Sequence, residues 1–242
     1  LDQQNRRRKE IESTMKEQAL TMLGEFETSA RTVCARHADW HEGVVGILAS
    51  RLKERYHRPA ICFAVVGEGM LKGSARSIEG FHLKHALDAV VARHPDLIPR
   101  YGGHAMAAGL SIREKDFERF AQAFEQESAQ HLAEEDVGTP VIEHDSALPT
   151  AQLEEQASLE LARWLEQSGP WGAGFPAPAF YGRFEVFSCR LVGELKTTMQ
   201  LHVGVPGTGR RIKAVIFKAI DKGVSELPDG SVIECVYTLS VN

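Results

Sequence analysis

A surplus of positive charge is the first thing this chain lacks. Its 242 residues carry 28 Lys and Arg against 33 Asp and Glu, a formal net charge of −5. That excludes a protein that holds nucleic acid by a global positive field, and any such contact must be local. No apolar run approaches the roughly 20 residues that span a bilayer, and the opening Leu1-Asp2-Gln3-Gln4-Asn5-Arg6-Arg7-Arg8-Lys9 has no apolar core of a signal peptide. A cytoplasmic location without membrane partners is the expectation. The four cysteines, Cys34, Cys62, Cys189 and Cys235, form no Cys-x-x-Cys pair, which disfavours a zinc ribbon and predicts reduced, buried thiols. There is no His-Glu-x-x-His, no Asp-His-His triplet and no Asp-x-Asp. Two-metal phosphodiester hydrolysis needs clustered carboxylates and imidazoles around cations about 3.5–4 Å apart, so no metal site is expected within these residues. The pairs His37 and His41, and His82 and His85, are spaced so that each could share a metal, but such histidines more often cap helices or lie exposed.

With 43% hydrophobic and 25% charged residues, the chain can bury cores for two modest domains. Its most informative stretch is Tyr101-Gly102-Gly103-His104-Ala105-Met106-Ala107-Ala108-Gly109. One histidine stands in a run almost without side chains, so a loop here can press its backbone and an imidazole against a ligand. A donor nitrogen on His104 suits an anionic oxygen, which makes Gly102, Gly103 and His104 candidates for a phosphate site. Ser74 and Arg76 are the next candidates, because an arginine fork two residues from a small hydroxyl can grip phosphate bidentately; Gly73 would leave space beside them. His41, with Glu42 and Gly43, sits where a helix is expected to start, and free N–H groups there suit an anion.

The apolar spacing of Ile11, Met15, Ala19, Met22 and Phe26 predicts an amphipathic helix over residues 5–27, with Arg6, Arg7, Arg8 and Lys9 at its start. A second helix begins near Glu42, buries Val44, Ile47, Leu48, Leu52 and Tyr56, and is ended by Pro59. Strands are expected at 60–66, 71–77 and 107–112, with helices carrying Leu83, Ala86, Leu87, Val90 and Val91, and then Phe117, Phe120, Ala121 and Phe124. Alternating helices and strands imply an α/β layer arrangement. Composition shifts between Glu134 and Thr150, which puts the expected domains at 1–30, a connector helix; 31–134, an α/β domain; and 135–242, a linker helix at about 151–167 followed by a β domain. The Gly/Pro-rich run 169–178 can only be loop. Strand-like runs at 180–192, 197–205, 210–217 and 231–241 suit a small Greek-key barrel of the OB type. Its Phe180, Tyr181, Phe184 and Phe187, with Arg183, Lys196, Arg210 and Arg211, are the kind of mixture that stacks bases and tracks a phosphate backbone. Strand alternation should bury about half of these residues and leave the four cations in solvent.

Three segments in fixed order, 40–52 (Trp40-His41-Glu42-Gly43 onward), Gly73-Ser74-Ala75-Arg76-Ser77 and the 101–109 stretch, with Arg58-Pro59-Ala60-Ile61 between the first two, resemble the DHHA1 domain of the DHH phosphoesterase superfamily. Within it the chain resembles the RecJ-like single-stranded-DNA exonucleases, by motif over roughly residues 31–130 and more loosely beyond, including an OB-type domain after DHHA1. The resemblance implies an enzyme that hydrolyses phosphodiester bonds of single-stranded DNA from the 5′ end with Mn²⁺ or Mg²⁺. The metal ligands would lie in an N-terminal DHH domain that these residues do not include. It also implies single-stranded DNA as ligand, and a single-strand-binding protein and a helicase as further partners. His104 would be catalytic; Ser74, Arg76, Gly102, Gly103 and His41 would bind phosphate; Arg183, Lys196, Arg210 and Arg211 would guide the strand. The missing initiator methionine and the end at Val241-Asn242, just after a strand-like run, point to a piece of a longer chain, inactive alone. Alternatives are an oligonucleotide or cyclic-dinucleotide phosphodiesterase of the DHH/DHHA1 family, and a non-catalytic nucleic-acid-binding module. In the family the Gly-Pro-x-Gly-x-Gly loop commonly continues with Asn-Pro, whereas Phe175 precedes Pro176 here, so that position is given no function.

Overall fold

A computed structural model of the chain describes residues 2–24, 29–133, 137–138, 141–149, 153, 155–172, 174–193, 196–220 and 224–241. Backbone contacts divide it into two compact units, Leu1–Pro140 and Val141–Asn242. Phe26, the acidic run 134–136 and residues 150–152 lie outside the described residues. Among the described residues no helix is long and apolar enough to cross a membrane.

The first unit opens with helix α1 (Asp2–Leu23), strand β1 (Val33–His37), α2 (Val45–Tyr56), β2 (Ala60–Val65) and β3 (Met70–Arg76). It continues through α3 (Leu83–Arg93), β4 (Arg100–Gly103), β5 (Ala107–Arg113) and α4 (Phe117–Ser128). The five strands form one sheet in the order β1-β2-β3-β5-β4, parallel only between β1 and β2, where α2 makes the crossover.

Each face of this sheet has its own core. Ile61, Phe63, Leu71, Ala75, Ala108, Leu110 and Ile112 point to one side, where α3 and α4 cover them with Leu83, Leu87, Phe120 and Phe124. Phe63 meets Phe117 and Phe120 edge-on at 5.7 and 5.5 Å, an arrangement that adds electrostatic fit to buried area. On the other side Val33, Ala35, Ala60, Cys62 and Ala64 pack under Leu48, Ala49 and Leu52 of α2 and Met15 and Ala19 of α1. That second layer reaches β3, where α2 packs on Ser74 and Arg76; beyond it β5 and β4 present exposed Ala107, Gly109, Gly102 and Arg100. The α/β reading therefore holds, and half of one sheet face is left bare.

Several expectations need correction. The α1 stripe runs through Ile11, Met15, Ala19 and Leu23, whereas Met22, one residue off that spacing, is 52% exposed. Helix α2 starts at Val45, not near Glu42, and closes at His57 in the left-handed conformation. Pro59 bars helical dihedrals at Arg58, so the chain must leave the helix just before it. Two strands were not anticipated, β1 and β4. In β4 the stretch around Tyr101 is paired backbone, not free loop, with Tyr101 opposite Leu110 and Gly103 opposite Ala108.

In the second unit β6 (Ser146–Ala147) and α5 (Glu155–Gln167) precede β7 (Phe180–Val192), β8 (Thr198–Gly204), β9 (Ile212–Ile216) and β10 (Val232–Tyr237). The sheet order is β10-β7-β8-β9, all antiparallel, with β6 added in parallel to the start of β7. A bulge between Val186 and Ser188 bends β7 so that one long strand serves two neighbours, the usual way a sheet begins to curl into a barrel. The concave side holds Phe184, Val186, Met199, Leu201 and Val203.

Candidate functional site

Sheet register decides which candidates meet. Arg76 ends β3 directly opposite Ala107 of β5, and the His104 N–H donates to the Ala107 carbonyl at 2.8 Å to open the β4–β5 turn. Arg76 and His104 thus share one end of the sheet, two strands and roughly 10 Å apart in backbone. Bare β5 runs between them. The loop itself is fixed by backbone: the Ser77 N–H donates to the Met106 carbonyl at 3.0 Å and the Leu83 N–H to the Ala105 carbonyl at 2.9 Å. The His104 imidazole is exposed and hydrogen-bonds to nothing among the described residues.

Ser74 and Arg76 occupy one face of β3 and are in contact. Arg76 Nη1 donates to Ser74 Oγ at 3.0 Å and to the Ala75 carbonyl at 2.8 Å, which folds the guanidinium back along the strand with Nη2 against Gly46. The segment entering α2 lies along the same strand. Glu42 accepts from Lys72 Nζ at 2.7 Å, and this hydrogen bond, aided by the ammonium charge, lowers the Glu42 pKa. Glu42 thus answers Lys72 and does not charge the helix start as its position suggested. His41 is exposed, and its Nδ1 accepts the Gly43 N–H at 3.0 Å, so the ring closes its own turn.

The candidate glycines separate into different roles. Gly73 is on the core side, where a Cβ would stand 2.5 Å from Phe63 Cε1; the space it leaves is for a buried ring, not for a ligand. Gly103, with φ of 154°, is required by the hairpin, since a Cβ would meet the Ala107 carbonyl oxygen at 2.4 Å. At Gly102 a Cβ would touch nothing within 4 Å, and at Gly109 only the Gly73 oxygen at 4.0 Å. Neither has positive φ, so the fold itself does not demand glycine there. One residue was missed. Gly46, in the first turn of α2, packs against the Ser74 and Arg76 side chains; the sequence signal was a glycine inside an apolar helical repeat, which propensity alone disfavours.

The histidine pairs whose spacing could suit a metal have other partners. His37 Nδ1 accepts from the Asp39 N–H, and the His82 and His85 rings stack at 3.6 Å while His82 caps α3. Among the described residues no three His, Cys, Asp or Glu side chains are placed to hold a metal ion. All four cysteines are free; only Cys62 is fully buried, and burial pushes the Cys34 and Cys62 thiols well up.

In the second unit Arg183, Lys196, Arg210 and Arg211 are all exposed, but the structure does not gather them. Lys196 sits in the β7–β8 turn, while Arg210 lies against Gly204 at the far end of β8. Arg183 faces Glu234 across the β7–β10 register. Arg211 stacks over Phe187 at 5.1 Å. Phe180 and Phe184 are core residues and offer no platform; Tyr181 and Phe187 are half-buried.

Comparison with known proteins follows this division. Residues 29–130 match the DHHA1 domain family and residues 148–242 the RecJ OB domain family. The single-stranded-DNA-specific exonuclease RecJ of Salmonella typhimurium is 43% identical over 100% of this chain and 41% of its own length. The protein of the same name from Bacillus subtilis is 32% identical over 84% of the chain and 25% of its length. Among solved structures, RecJ of Thermus thermophilus in complex with Mg²⁺ matches with a TM-score of 0.70 at 26% identity, covering 96% of this chain and 32% of that one. The same protein with Mn²⁺ matches at 0.69. The chain therefore spans well under half the length of the relatives it matches.

Proposed function

Since the chain belongs to the RecJ exonuclease family, as its DHHA1 and OB part, we propose that it is the substrate-binding section of a 5′-to-3′ single-stranded-DNA exonuclease. The observation that carries this reading is the Arg76–Ser74 pair beneath the start of α2, at the same end of an uncovered sheet face as His104. The backbones of Arg76 and His104 stand on opposite sides of β5. Its floor of Ala107 and Gly109, with Gly102 beside it, offers no side chain long enough to hold a strand away from the backbone. Arg76 supplies charge-assisted donors to a phosphodiester oxygen, and His104 supplies a donor to a second oxygen or to the charge that develops as the bond breaks. Gly102 and Gly103 border the same bound phosphate, and His41 contacts another phosphate of the strand.

The donor set of this part does not suit a divalent ion: cations and N–H groups dominate the face, and no carboxylate–imidazole trio accompanies them among the described residues. The Mn²⁺ or Mg²⁺ of the active enzyme is held by residues outside this chain. The OB unit contacts the strand through Arg183, Lys196, Arg210 and Arg211, each making a separate contact to its backbone. The enzyme works in the cytoplasm, with a single-strand-binding protein and a helicase preparing its substrate.

A nuclease assay tests the division of labour. The purified chain should release no nucleotides from single-stranded DNA with Mn²⁺ present, while the longer protein containing it should. Binding of single strands by the chain should persist weakly and fall steeply as salt rises, because each phosphate contact releases counterions. Metal-stimulated digestion by the chain alone refutes the reading.

A further inference from the structure

Gly46 occupies the second position of α2, and glycine is second only to proline as a poor helix former. Its own backbone does not ask for it, since its φ is not positive. The three atoms nearest to a Cβ built there are Arg76 Nη2 at 3.0 Å, Ser74 Oγ at 3.0 Å and Arg76 Cζ at 3.7 Å. The hydrophobic core is not among them. The helix surrenders propensity at this point only to let the polar ends of two side chains come close.

We propose that Gly46 is a positioning residue for phosphate binding: the missing side chain seats the Arg76 guanidinium against Ser74 under the first turn of α2, and Gly46 acts on the bound strand only through Arg76. This rests on the reading of Arg76 and Ser74 as phosphate contacts. The Ser74 backbone is held by pairing on both sides of a central strand, so its hydroxyl can move only by rotation about χ1, whereas the guanidinium ends a long flexible stem. A methyl at position 46 therefore shifts the guanidinium and strains its bond to Ser74. A site of this kind tolerates about half an ångström of error before function suffers.

The test is a double-mutant cycle of Gly46→Ala and Arg76→Ala in this chain, reading binding of oligodeoxythymidylate across a salt series together with thermal melting. Arg76→Ala should weaken binding about tenfold and reduce the slope of log affinity against log salt by about 0.7, the value for one phosphate contact on a single strand. Gly46→Ala should weaken binding several-fold and flatten the slope in the same direction, with melting unchanged or higher because alanine suits a helix better. In the Arg76→Ala background Gly46→Ala should add nothing. A purely structural glycine would move melting and leave the salt slope alone. If Arg76→Ala leaves binding intact, the phosphate reading fails and this inference falls with it. If Arg76→Ala weakens binding while Gly46→Ala does not, or if the two effects simply add, only the inference is overturned. Should Gly46→Ala fail to fold, recovery of folding in the double mutant assigns the clash to the guanidinium, and no recovery overturns the proposal.

Discussion

Replacing His104 by Ala in the longer enzyme isolates the imidazole from everything else in its loop. The hydrogen bond that fixes this turn comes from the His104 backbone N–H, which alanine retains, and the imidazole itself is exposed with no hydrogen bond among the described residues. Truncating such a side chain costs within about 0.5 kcal/mol of stability, which for a domain of this size moves melting by roughly 3 °C or less. The expected loss in kcat/KM is about 10²-fold, the order found for removing one oriented donor where charge develops. Gly103→Ala is the instructive contrast: its Cβ would meet the Ala107 carbonyl oxygen at 2.4 Å and Ala108 Cα at 2.5 Å, both backbone, so the hairpin must open and stability should fall together with activity. Melting temperature, bound metal and single-turnover cleavage measured on one preparation separate the cases. A His104→Ala enzyme that is stable, metal-loaded and fully active refutes the reasoning, and one that melts early yet cleaves normally once folded makes His104 structural.

Two further perturbations test other parts of the fold. Replacing Arg210 and Arg211 with Ala should weaken single-strand binding with little dependence on sequence, since backbone contacts carry no base information; the stability cost should stay below about 1 kcal/mol, mostly the lost stacking of Arg211 on Phe187. Unchanged affinity and salt slope would put both residues off the strand's path. Asp88 accepts from Lys84 and from the Tyr101 hydroxyl at 2.7 Å, and these bonds, that from Lys84 foremost, lower its pKa. A depressed folded-state carboxyl contributes stability above its unfolded value, near pH 4, and loses it as pH falls through the folded value. The melting difference between wild type and Asp88→Asn should therefore be small at neutral pH, because the pair is exposed, and shrink toward zero below pH 4. Parallel curves down to pH 3 would show that Asp88 does not anchor β4 by charge.

Sequence pattern exposed most of this architecture where burial is periodic. The helices α2, α3 and α4 and the strands β2, β3 and β5 each carry a repeat that the core reads directly, as Leu48 and Leu52, Phe120 and Phe124, and Leu110 and Ile112 show. Strands β1 and β4 escaped because they are edges of the sheet: β4 has only Tyr101 turned toward the core, and its glycines look like loop. In the β unit Phe180 and Phe184 looked like stacking platforms because aromatic residues serve a barrel core and a base equally well, and only register tells which side they take. The Ser74–Arg76 contact was legible, since alternate residues of a strand share a face. Gly46 was not, because its partners lie about 30 residues away on another element, and a glycine leaves no side chain to suggest what it faces.

Net charge and local charge then lead to different pictures of how a strand is held. At −5 overall the chain repels a polyanion at distance, so capture cannot begin with long-range steering. Lys72 is neutralised by Glu42, and Arg183 stands opposite Glu234, so neither contributes its full charge to a ligand. On the open sheet face Arg113 is paired with Asp116, and Arg76 and Arg100 remain; Arg100 makes no hydrogen bond or ion pair among the described residues. They sit at opposite ends of the face: Arg76 faces Ala107 and Arg100 faces Ser111, four residues or roughly 13 Å apart along β5, and they are two strands or roughly 10 Å apart across it. One phosphate cannot bridge that span. A chain of phosphates can, with the glycine and alanine floor between the two cations left free for the sugars. On the proposed reading, a ligand with a single phosphate would engage one cation and gain little over solvent, whereas a strand laid along β5 would engage both ends without needing a positive field around the protein.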